Sequence, residues 1–437
     1  MQTRFIILFL MLFSALHAGQ YTLEALCKKG IEHNPNIRSF AYKTSASNSV
    51  YAQSVDQYKP HFTISGQLAE QNYMLTYSSG DEYYKGFSHQ YQFSLNQPVY
   101  RPTLLYSMDD AKKRILLARL MEEDEKAKLV TQILQNAFEL IRLKKNVEIL
   151  TQKSELLEKA YKNLQKKHKL KLASKVDVYQ SLSMLKQSHS DLAIAKQTYM
   201  QVLFNLRMLT KTKNVEKYIE HLEFNMPAVK KAFGKLNTRA LKSQYIHNTR
   251  LKLEEQTAKI AQGQIDMRNS ERYPQIDAVV SYGDSGGTID TTMRQKDSRA
   301  MLTLNFPIYQ GGYVDDRVEE AKYLALAAKA TAEDMMTNIK ISLEKSIQDI
   351  RSGIESYNAD AIAVEASKKY FDATITSFKN GLGSLTDAYL AEADYQDSRL
   401  KLVNTQSNIF NSLAEIYYYS GIANFRYIAK LQKKYLK

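Results

Sequence analysis

The chain of 437 residues has one cysteine, no tryptophan, 16 glycines and 7 prolines. With Cys27 alone no intrachain disulfide can form and no cysteine cluster can hold zinc; a buried free thiol on the first helix is expected. So few glycines and prolines leave few places to divide the chain into small compact units, and long uninterrupted elements follow. The extreme case is Thr103 to Thr210, which has neither residue. As one straight helix it would reach ~160 Å. A fold-back is expected instead, placed in the polar stretch from Lys166 to Lys175. After the first 18 residues no apolar run approaches the ~20 residues of a spanning helix. The eight histidines are dispersed, and His-Glu-x-x-His and Gly-x-Ser-x-Gly are both missing. Gly381-Leu382-Gly383 lacks the preceding strand and the third glycine of a dinucleotide loop. No enzyme, metal site or cofactor is expected.

What is present begins with charge. Lys and Arg number 60 against 46 Asp and Glu, a net +14. The charges are scattered through helical stretches, which suits solvated helix faces and gives no nucleic-acid footprint. Residues 1–18 carry Arg4, an apolar run from Phe5 to Phe13, and small residues at Ala15 and Ala18, the layout of a secretory signal peptide. An exported chain without spanning helices belongs in the periplasm, the medium or an outer-membrane β-barrel.

The period of the apolar residues then changes along the chain. Tyr21 to Tyr58 reads as helix, interrupted at Asn34-Pro35. After Pro60 the period becomes two, with Phe62, Ile64 and Leu68, then Tyr91, Phe93 and Leu95, alternating with polar residues. These are two strands of ~10 residues around a polar loop near Ser78 to Glu82. A membrane strand and a half-buried soluble hairpin read much alike; tyrosines 73, 77, 83, 84, 100 and 106 at the strand ends favour an interfacial girdle. Beyond Thr103, Ile133, Leu140, Leu143, Val147, Leu150, Leu157, Tyr161 and Leu164 form a heptad seam.

The same order then repeats. Asn248-Thr249-Arg250-Leu251 echoes Asn34-Pro35-Asn36-Ile37, Tyr273-Pro274 echoes Pro60, and Pro307 echoes Pro98, with offsets of 214 falling to 209. A second strand pair brackets a loop from Gly283 to Arg299. A second seam runs from Ile347 to Phe378, and a second fold-back lies at Asn380-Gly381-Leu382-Gly383-Ser384. The organisation expected is a first repeat over 19–210 (strand pair 61–100, helical hairpin 103–210) and an irregular link over 211–237. A second repeat follows over 238–421 (strand pair 275–308, helical hairpin 312–421), then a tail over 422–437. At the two strand-to-helix junctions, proline is expected to end strand pairing at Pro98 and Pro307, and Gly311 and Gly312 to permit a tight turn into the second long helix. The first copy has Arg101-Pro102 there instead. Four strands are too few to close a barrel, for which ~8 is the usual minimum, so other copies of the chain would have to complete one.

Four sets of residues carry a family resemblance, in order and on a duplicated frame. They are Leu23-Glu24-Ala25-Leu26 with Asn34-Pro35, the junction Phe306-Pro307-Ile308-Tyr309-Gln310-Gly311-Gly312, and the tips Leu172-Ala173-Ser174-Lys175-Val176-Asp177-Val178 and Gly381-Leu382-Gly383-Ser384-Leu385-Thr386-Asp387. Through them the chain resembles the TolC family of outer-membrane efflux and type I secretion channels. That resemblance implies a mixed α and β fold: a four-stranded share of a trimeric transmembrane β-barrel, continued by a long α-helical barrel of coiled-coil hairpins. It implies a homotrimer in outer-membrane lipid, reaching into the periplasm. There a membrane-fusion adaptor would join it to an inner-membrane pump of the RND or ABC type. The function implied is the passive exit duct of a tripartite efflux pump or of a type I protein secretion system. A periplasmic coiled-coil scaffold is the rival from another class.

By the same resemblance Asp387 and Asp177 are the candidate residues of the pore constriction, and Leu172, Ala173, Ser174, Lys175, Gly381, Leu382, Gly383 and Ser384 those of adaptor docking. Lys171 replaces the glycine expected at the first tip. The basic partner that would latch Asp177 falls at Gly383. Lysines 166, 167, 169 and 171 make the first tip basic, which either tunes docking or solvates the helix end.

Overall fold

The structure, a computed structural model, describes residues 21–234, 243–288, 294–380, 382–421 and 425–436. The expected signal peptide lies outside them. The elements are α1 (Leu23–His33), α2 (Pro35–Asp56), β1 (His61–Tyr77), β2 (Gly80–Tyr100), α3 (Pro102–Lys169), α4 (Lys175–Thr210), α5 (Met226–Gly234), α6 (Thr249–Asn269), β3 (Gln275–Gly287), β4 (Gln295–Asn305), α7 (Tyr313–Lys379), α8 (Leu385–Tyr419) and α9 (Phe425–Tyr435). They fall into two compact units. One comprises residues 41–120 and 253–333, the other 1–40, 121–252 and 334–437.

The first unit holds one antiparallel sheet in the order β1-β2-β3-β4. Its strands are longer than the alternation suggests, 17 and 21 residues in the first pair. The polar loop expected at 78–82 shrinks to Ser78-Ser79, with Tyr77 opposite Gly80. The register continues through Thr76 opposite Asp81 and Tyr73 opposite Tyr84. Pairing there is carried by backbone hydrogen bonds and a Tyr73–Tyr84 stack at 5.3 Å, neither of which leaves an apolar period to read. The loop expected from Gly283 to Arg299 shortens in the same way, since β3 runs to Gly287 and β4 starts at Gln295.

The second unit is helical. Its core gathers Leu23 and Leu26 of α1, Ile133, Ala137 and Phe138 of α3, Leu206 of α4, Ile347 and Ile350 of α7, and Ile409, Phe410 and Leu413 of α8. Phe138, Phe224 and Phe410 form an aromatic cluster, Phe224 and Phe410 at 4.5 Å between ring centres. Burying such rings contributes about 1.5–3 kcal/mol each. The first heptad seam is buried at Ile133, Leu140, Leu143, Leu150, Leu157 and Leu164. The second is buried at Ile347 and Ile350 and only half-covered from Ile354 to Phe378.

Two segments are more ordered than their composition suggests. The link after α4 contains a 3-10 turn at Val215–Tyr218 and the helix α5. The expected tail is a docked helix. In α9, Ile428, Leu431 and Tyr435 enter the core, Gln432 Oε1 accepts from Leu23 N at 2.8 Å, and Leu436 bridges to Phe224. An 11-residue amphipathic helix of lysines and apolar residues reads as a polar tail when its apolar face has no visible partner in sequence.

The echo between the halves is atomic at one place. Asn34 Oδ1 accepts from Asn36 N at 2.8 Å and starts α2, while its Nδ2 donates to Leu209 O at 3.3 Å, at the end of α4. Asn248 repeats this. Its Oδ1 accepts from Arg250 N and Leu251 N at 2.9 and 3.2 Å and starts α6. Its Nδ2 donates to Tyr418 O and Tyr419 O at 3.0 and 3.2 Å, at the end of α8. Each asparagine therefore begins a short helix with its oxygen and closes a returning long helix with its nitrogen, satisfying terminal groups at both.

Candidate functional site

Two places carry the residues singled out in sequence: the helix tips of the helical unit and the strand-to-helix junctions of the sheet unit. The first tip is a C-cap followed at once by an N-cap. Leu172 N donates to Lys167 O at 2.8 Å and Lys171 N to His168 O at 2.9 Å, with Lys171 at φ 60°. This is a Schellman turn with lysine in the left-handed position that glycine usually takes. The His168 Nδ1–H donates to Ala173 O at 2.9 Å. Ser174 then opens α4 with a capping box. Its Oγ accepts from Asp177 N, and the Asp177 carboxylate accepts from Ser174 N, both at 3.1 Å. Asp177 is thus half-buried and held to its own helix end.

At the second tip Leu382 N donates to Ser377 O at 2.9 Å, and Ser384 Oγ accepts from Thr386 N at 3.1 Å to open α8. Gly381 lies outside the described residues; Gly383 and Ser384 are exposed. Asp387 occupies the same third helical position as Asp177. Its side chain is exposed and makes no hydrogen bond or ion pair among the described residues. The identical position thus yields one tethered carboxylate and one free one. The tips stand together: Lys167 Nζ lies 5.0 Å from the Phe378 ring centre, and Asn163 Nδ2 donates to Tyr389 Oη at 3.1 Å. Leu172 and Leu382 are 73% and 84% exposed, which leaves an apolar residue uncovered at each tip. Ala173 is half-buried, and Lys175 lies over Tyr179 at 5.6 Å.

At the first junction proline does not end pairing. Pro98 stands opposite Asp277 and β2 continues to Tyr100 through an irregularity in register. The missing N–H is tolerated because β1 reaches only to Asn96, so Pro98 has a single neighbouring strand. The turn is made three residues later. Arg101 grips the Asp277 carboxylate with Nε at 2.8 Å and Nη2 at 2.5 Å, and Pro102 takes the first position of α3, where its fixed φ suits a helix and no N–H is needed. Sequence reasoning placed Arg101-Pro102 at this junction but missed the ion pair, because its partner is 176 residues away. At the second junction β4 ends at Asn305, before Pro307. Gly311 and Gly312 then adopt φ 61° and 84°, and Tyr313 N donates to Gln310 O at 3.1 Å.

The sheet has an oily face and a wet one. The register aligns Phe62, Leu95, Val280 and Ala300 in one row and Ile64, Phe93, Tyr282 and Ser298 in another on the same face. The opposite face carries Thr63, Ser94, Ser281 and Arg299, then Ser65, Gln92, Gly283 and Asp297. Phe62, Ile64, Leu68 and Leu302 are each more than 60% exposed in the single chain, an apolar surface that calls for an apolar medium. From Glu70 onward the oily face of β1 carries Glu70, Asn72, Met74 and Thr76, mostly polar. The apolar stretch of β2, Phe87 to Leu95, therefore matches the ~9–11 residues of a tilted membrane strand. Among the described residues, β1 and β4 each pair on one side only.

Comparison with known proteins agrees with this geometry. Residues 244–421 match the family described as Outer membrane efflux protein. The chain is 26% identical over 135 residues to the outer membrane protein TolC of Salmonella enteritidis and 24% identical over 161 residues to that of Escherichia coli K12. Those alignments cover 31% and 34% of this chain but only 27% and 33% of the relatives. In structure it resembles the Campylobacter jejuni CmeC outer membrane channel, with a TM-score of 0.78 at 12% identity over 94% of this chain and 89% of that one. Over residues 244–421 the chain is thus similar to the outer membrane efflux proteins, and over 94% of its length it has the fold of the CmeC outer membrane channel.

Proposed function

We propose that this chain is the outer-membrane channel of a tripartite efflux pump, a passive duct built from three copies. The observation that carries the proposal is the sheet: one face apolar, one polar, and both edge strands, β1 and β4, without a partner on their outer sides among the described residues. In a bilayer each unpaired backbone group costs several kcal/mol, so the edges β1 and β4 need partners. Three copies supply twelve strands, enough to close a barrel with the oily face toward lipid and the wet face toward a lumen. The half-covered seam of α7 gives neighbouring copies a second surface to meet on. A periplasmic scaffold would have no use for such a sheet.

The exposed leucines of the tips would meet a periplasmic adaptor, itself tied to an inner-membrane pump of the RND or ABC type that supplies the energy. Asp387, free of any local partner, is the constriction residue, and three copies near a common axis would favour cations. Asp177 contributes less, since its carboxylate already closes a helix end. The duct performs no catalytic step. The test is membrane fractionation followed by planar-bilayer recording. A heat-modifiable trimer in the outer membrane that forms pores, with cation preference lowered by Asp387→Asn, is expected. A protein found soluble in the periplasm would overturn the channel reading, and unchanged selectivity would remove Asp387 from its role.

A further inference from the structure

The oily face of the sheet is free of charge over most of its height and charged only at one end. From the row of Leu304, next to the junctions, to the row of Phe93, Tyr282 and Ser298 it holds no charged side chain. The next row sets Tyr91, Asp284 and Lys296 side by side, and Arg294 follows just ahead of β4. Leu304 and Lys296 are eight residues apart on β4. At ~3.4 Å per residue and a tilt of about 45°, that is roughly 20 Å along the membrane normal, close to the far edge of an apolar band of about 25 Å.

These charges are organised around one buried carboxylate. Asp284 is 1% exposed. It accepts from Tyr91 Oη at 2.8 Å, from Arg294 Nη2 at 2.7 Å and from Arg294 Nε at 3.2 Å. Arg294 nevertheless stays 64% exposed, and its Nη1 has no partner among the described residues. Gly286 lets two side chains close over one spot: a Cβ there would stand 3.2 Å from His89 Cε1 and 3.7 Å from Arg294 Cγ. The His89 ring in turn stacks on Tyr91, 6.4 Å between ring centres. Lys296 is exposed beside them, with no carboxylate within ion-pair distance among the described residues. One carboxylate against two permanent cations leaves the patch positive, and the carboxylate holds the guanidinium with its remaining edge outward.

We propose that this cluster binds the phosphate of an outer-leaflet glycolipid, the lipid A of lipopolysaccharide. The inference rests on the channel reading, in which α3 and α7 leave the sheet at its periplasmic end, so that the Arg294 end lies at the outer leaflet. A phosphate has the charge and the acceptor oxygens to meet a guanidinium edge and an ammonium together. Its acyl chains would lie along the same face, where Leu68, Ile64 and Leu302 are exposed. Position singles out this occupant. A soluble anion has no use for the apolar wall beside the cluster, and phospholipids of the inner leaflet meet the other end of the strands. The Asp284–Arg294 pair alone could be a staple of the sheet. A staple does not explain Lys296, a further cation on the lipid side at the edge of the hydrocarbon, where an unmatched charge is costly.

The test is native mass spectrometry of the purified, detergent-held protein titrated with lipid A, with dephosphorylated lipid A and with phosphatidylglycerol. The wild-type protein is expected to retain lipid A about tenfold more strongly than either of the others. Lys296→Gln leaves Asp284 and Arg294 paired and is expected to lower retention about threefold. Asp284→Asn, Arg294→Gln and Lys296→Gln together remove the buried charge along with its partner, and are expected to lower it about tenfold. Lys85→Gln, on the same face but further out and paired with Glu70, is expected to bind as wild type. Preincubation with inorganic phosphate is expected to leave lipid A in place. The proposal fails if dephosphorylated lipid A or phosphatidylglycerol is held as well as lipid A, or if inorganic phosphate displaces it. It fails equally if Lys296→Gln and the triple variant bind as wild type, or if Lys85→Gln loses binding. Planar-bilayer recording of the same preparations keeps the two readings apart: a protein that conducts without phosphate-dependent retention of lipid A loses this inference alone, and a triple variant that still conducts shows an intact fold.

Discussion

Replacing Asn248 offers a sharp test of how the helical unit is held together, because one side chain serves two helix ends at once. It is 1% exposed and makes four hydrogen bonds, two accepted from the start of α6 and two donated to the end of α8. In Asn248→Ala the lost N-cap costs about 1 kcal/mol, and Tyr419 O left without a donor costs about 1–3 kcal/mol, while Tyr418 O keeps Gly421 N at 3.1 Å. A total of roughly 2–4 kcal/mol is expected. Asn34→Ala, at a half-buried position with one bond on each side and the donated one at 3.3 Å, should cost only about 1–2 kcal/mol. Asn248→Asp separates the two halves of the effect. Aspartate is a good N-cap, so it would be neutral if capping α6 were the whole role. Because it also sets a second oxygen against Tyr418 O and Tyr419 O, it is expected to destabilise at least as much as alanine. Thermal unfolding of the purified protein gives the ranking, and hydrogen exchange at residues 243–252 and 412–421 locates the loss. An Asn248→Asp protein as stable as wild type, or an Asn34→Ala protein less stable than Asn248→Ala, would refute the reasoning.

Other expectations concern single positions. Gly421, at φ 69°, has His247 O at 2.4 Å and Asn248 N at 2.9 Å from where a Cβ would stand, so Gly421→Ala should destabilise by about 3 kcal/mol or more in thermal unfolding; a change below 1 kcal/mol would mean that the backbone relaxes freely. Lys171→Gly should stabilise the first tip by about 0.5–1 kcal/mol, read as slower exchange of the Lys171 and Leu172 amides, since the left-handed conformation strains lysine and not glycine. Burial pushes the Glu392 carboxyl above its ordinary range, against the opposing pull of Lys159. A raised carboxyl costs the folded state stability at pH above its folded value, and that cost fades as pH falls toward the unfolded value. Glu392→Gln should therefore raise the melting temperature at pH 7 and give no gain near pH 4; an equal gain at both would point to packing rather than charge.

The sequence was legible where periodicity or punctuation carries the information. The change from a period of two to heptads gave the sheet and the long helices, and the absence of glycine and proline over 103–210 led to a single turn in the Lys166–Lys175 stretch. The same reasoning failed where the partner is remote in sequence. Arg101 finds Asp277 across the sheet, and the apolar face of α9 finds α1 and the link, neither of which leaves a local signal. It failed too where backbone pairing outruns side-chain pattern, as in the polar ribbon beyond Leu68. Of the candidate site, the sequence marked the two tip carboxylates as equivalent; only geometry separates them, since a capping box needs the side chain of Ser174 and of Asp177 to turn toward each other.

The way the two halves agree and differ follows from burial. At the helix ends met by Asn34 and Asn248 both halves use the same residue in the same way, because helix-terminal groups that are partly or wholly shielded from water need a partner that donates and accepts at once over a short reach, and asparagine meets that need. At the strand-to-helix junctions they diverge. The first uses a remote ion pair and a proline at the helix start; the second uses two left-handed glycines at an exposed or half-exposed turn. Water can satisfy backbone groups there, so the chain needs only to change direction, and several residue types can do that. The tips fall between these cases. Their caps are exposed, serine opens the returning helix at both, yet the second tip lacks the reciprocal carboxylate bond of the first. A duplicated chain under such constraints keeps its buried polar devices and lets its exposed turns drift. Under the channel reading proposed above, Asp387 would be free to act on what passes the tip, because no group among the described residues holds its carboxylate as Ser174 N holds that of Asp177.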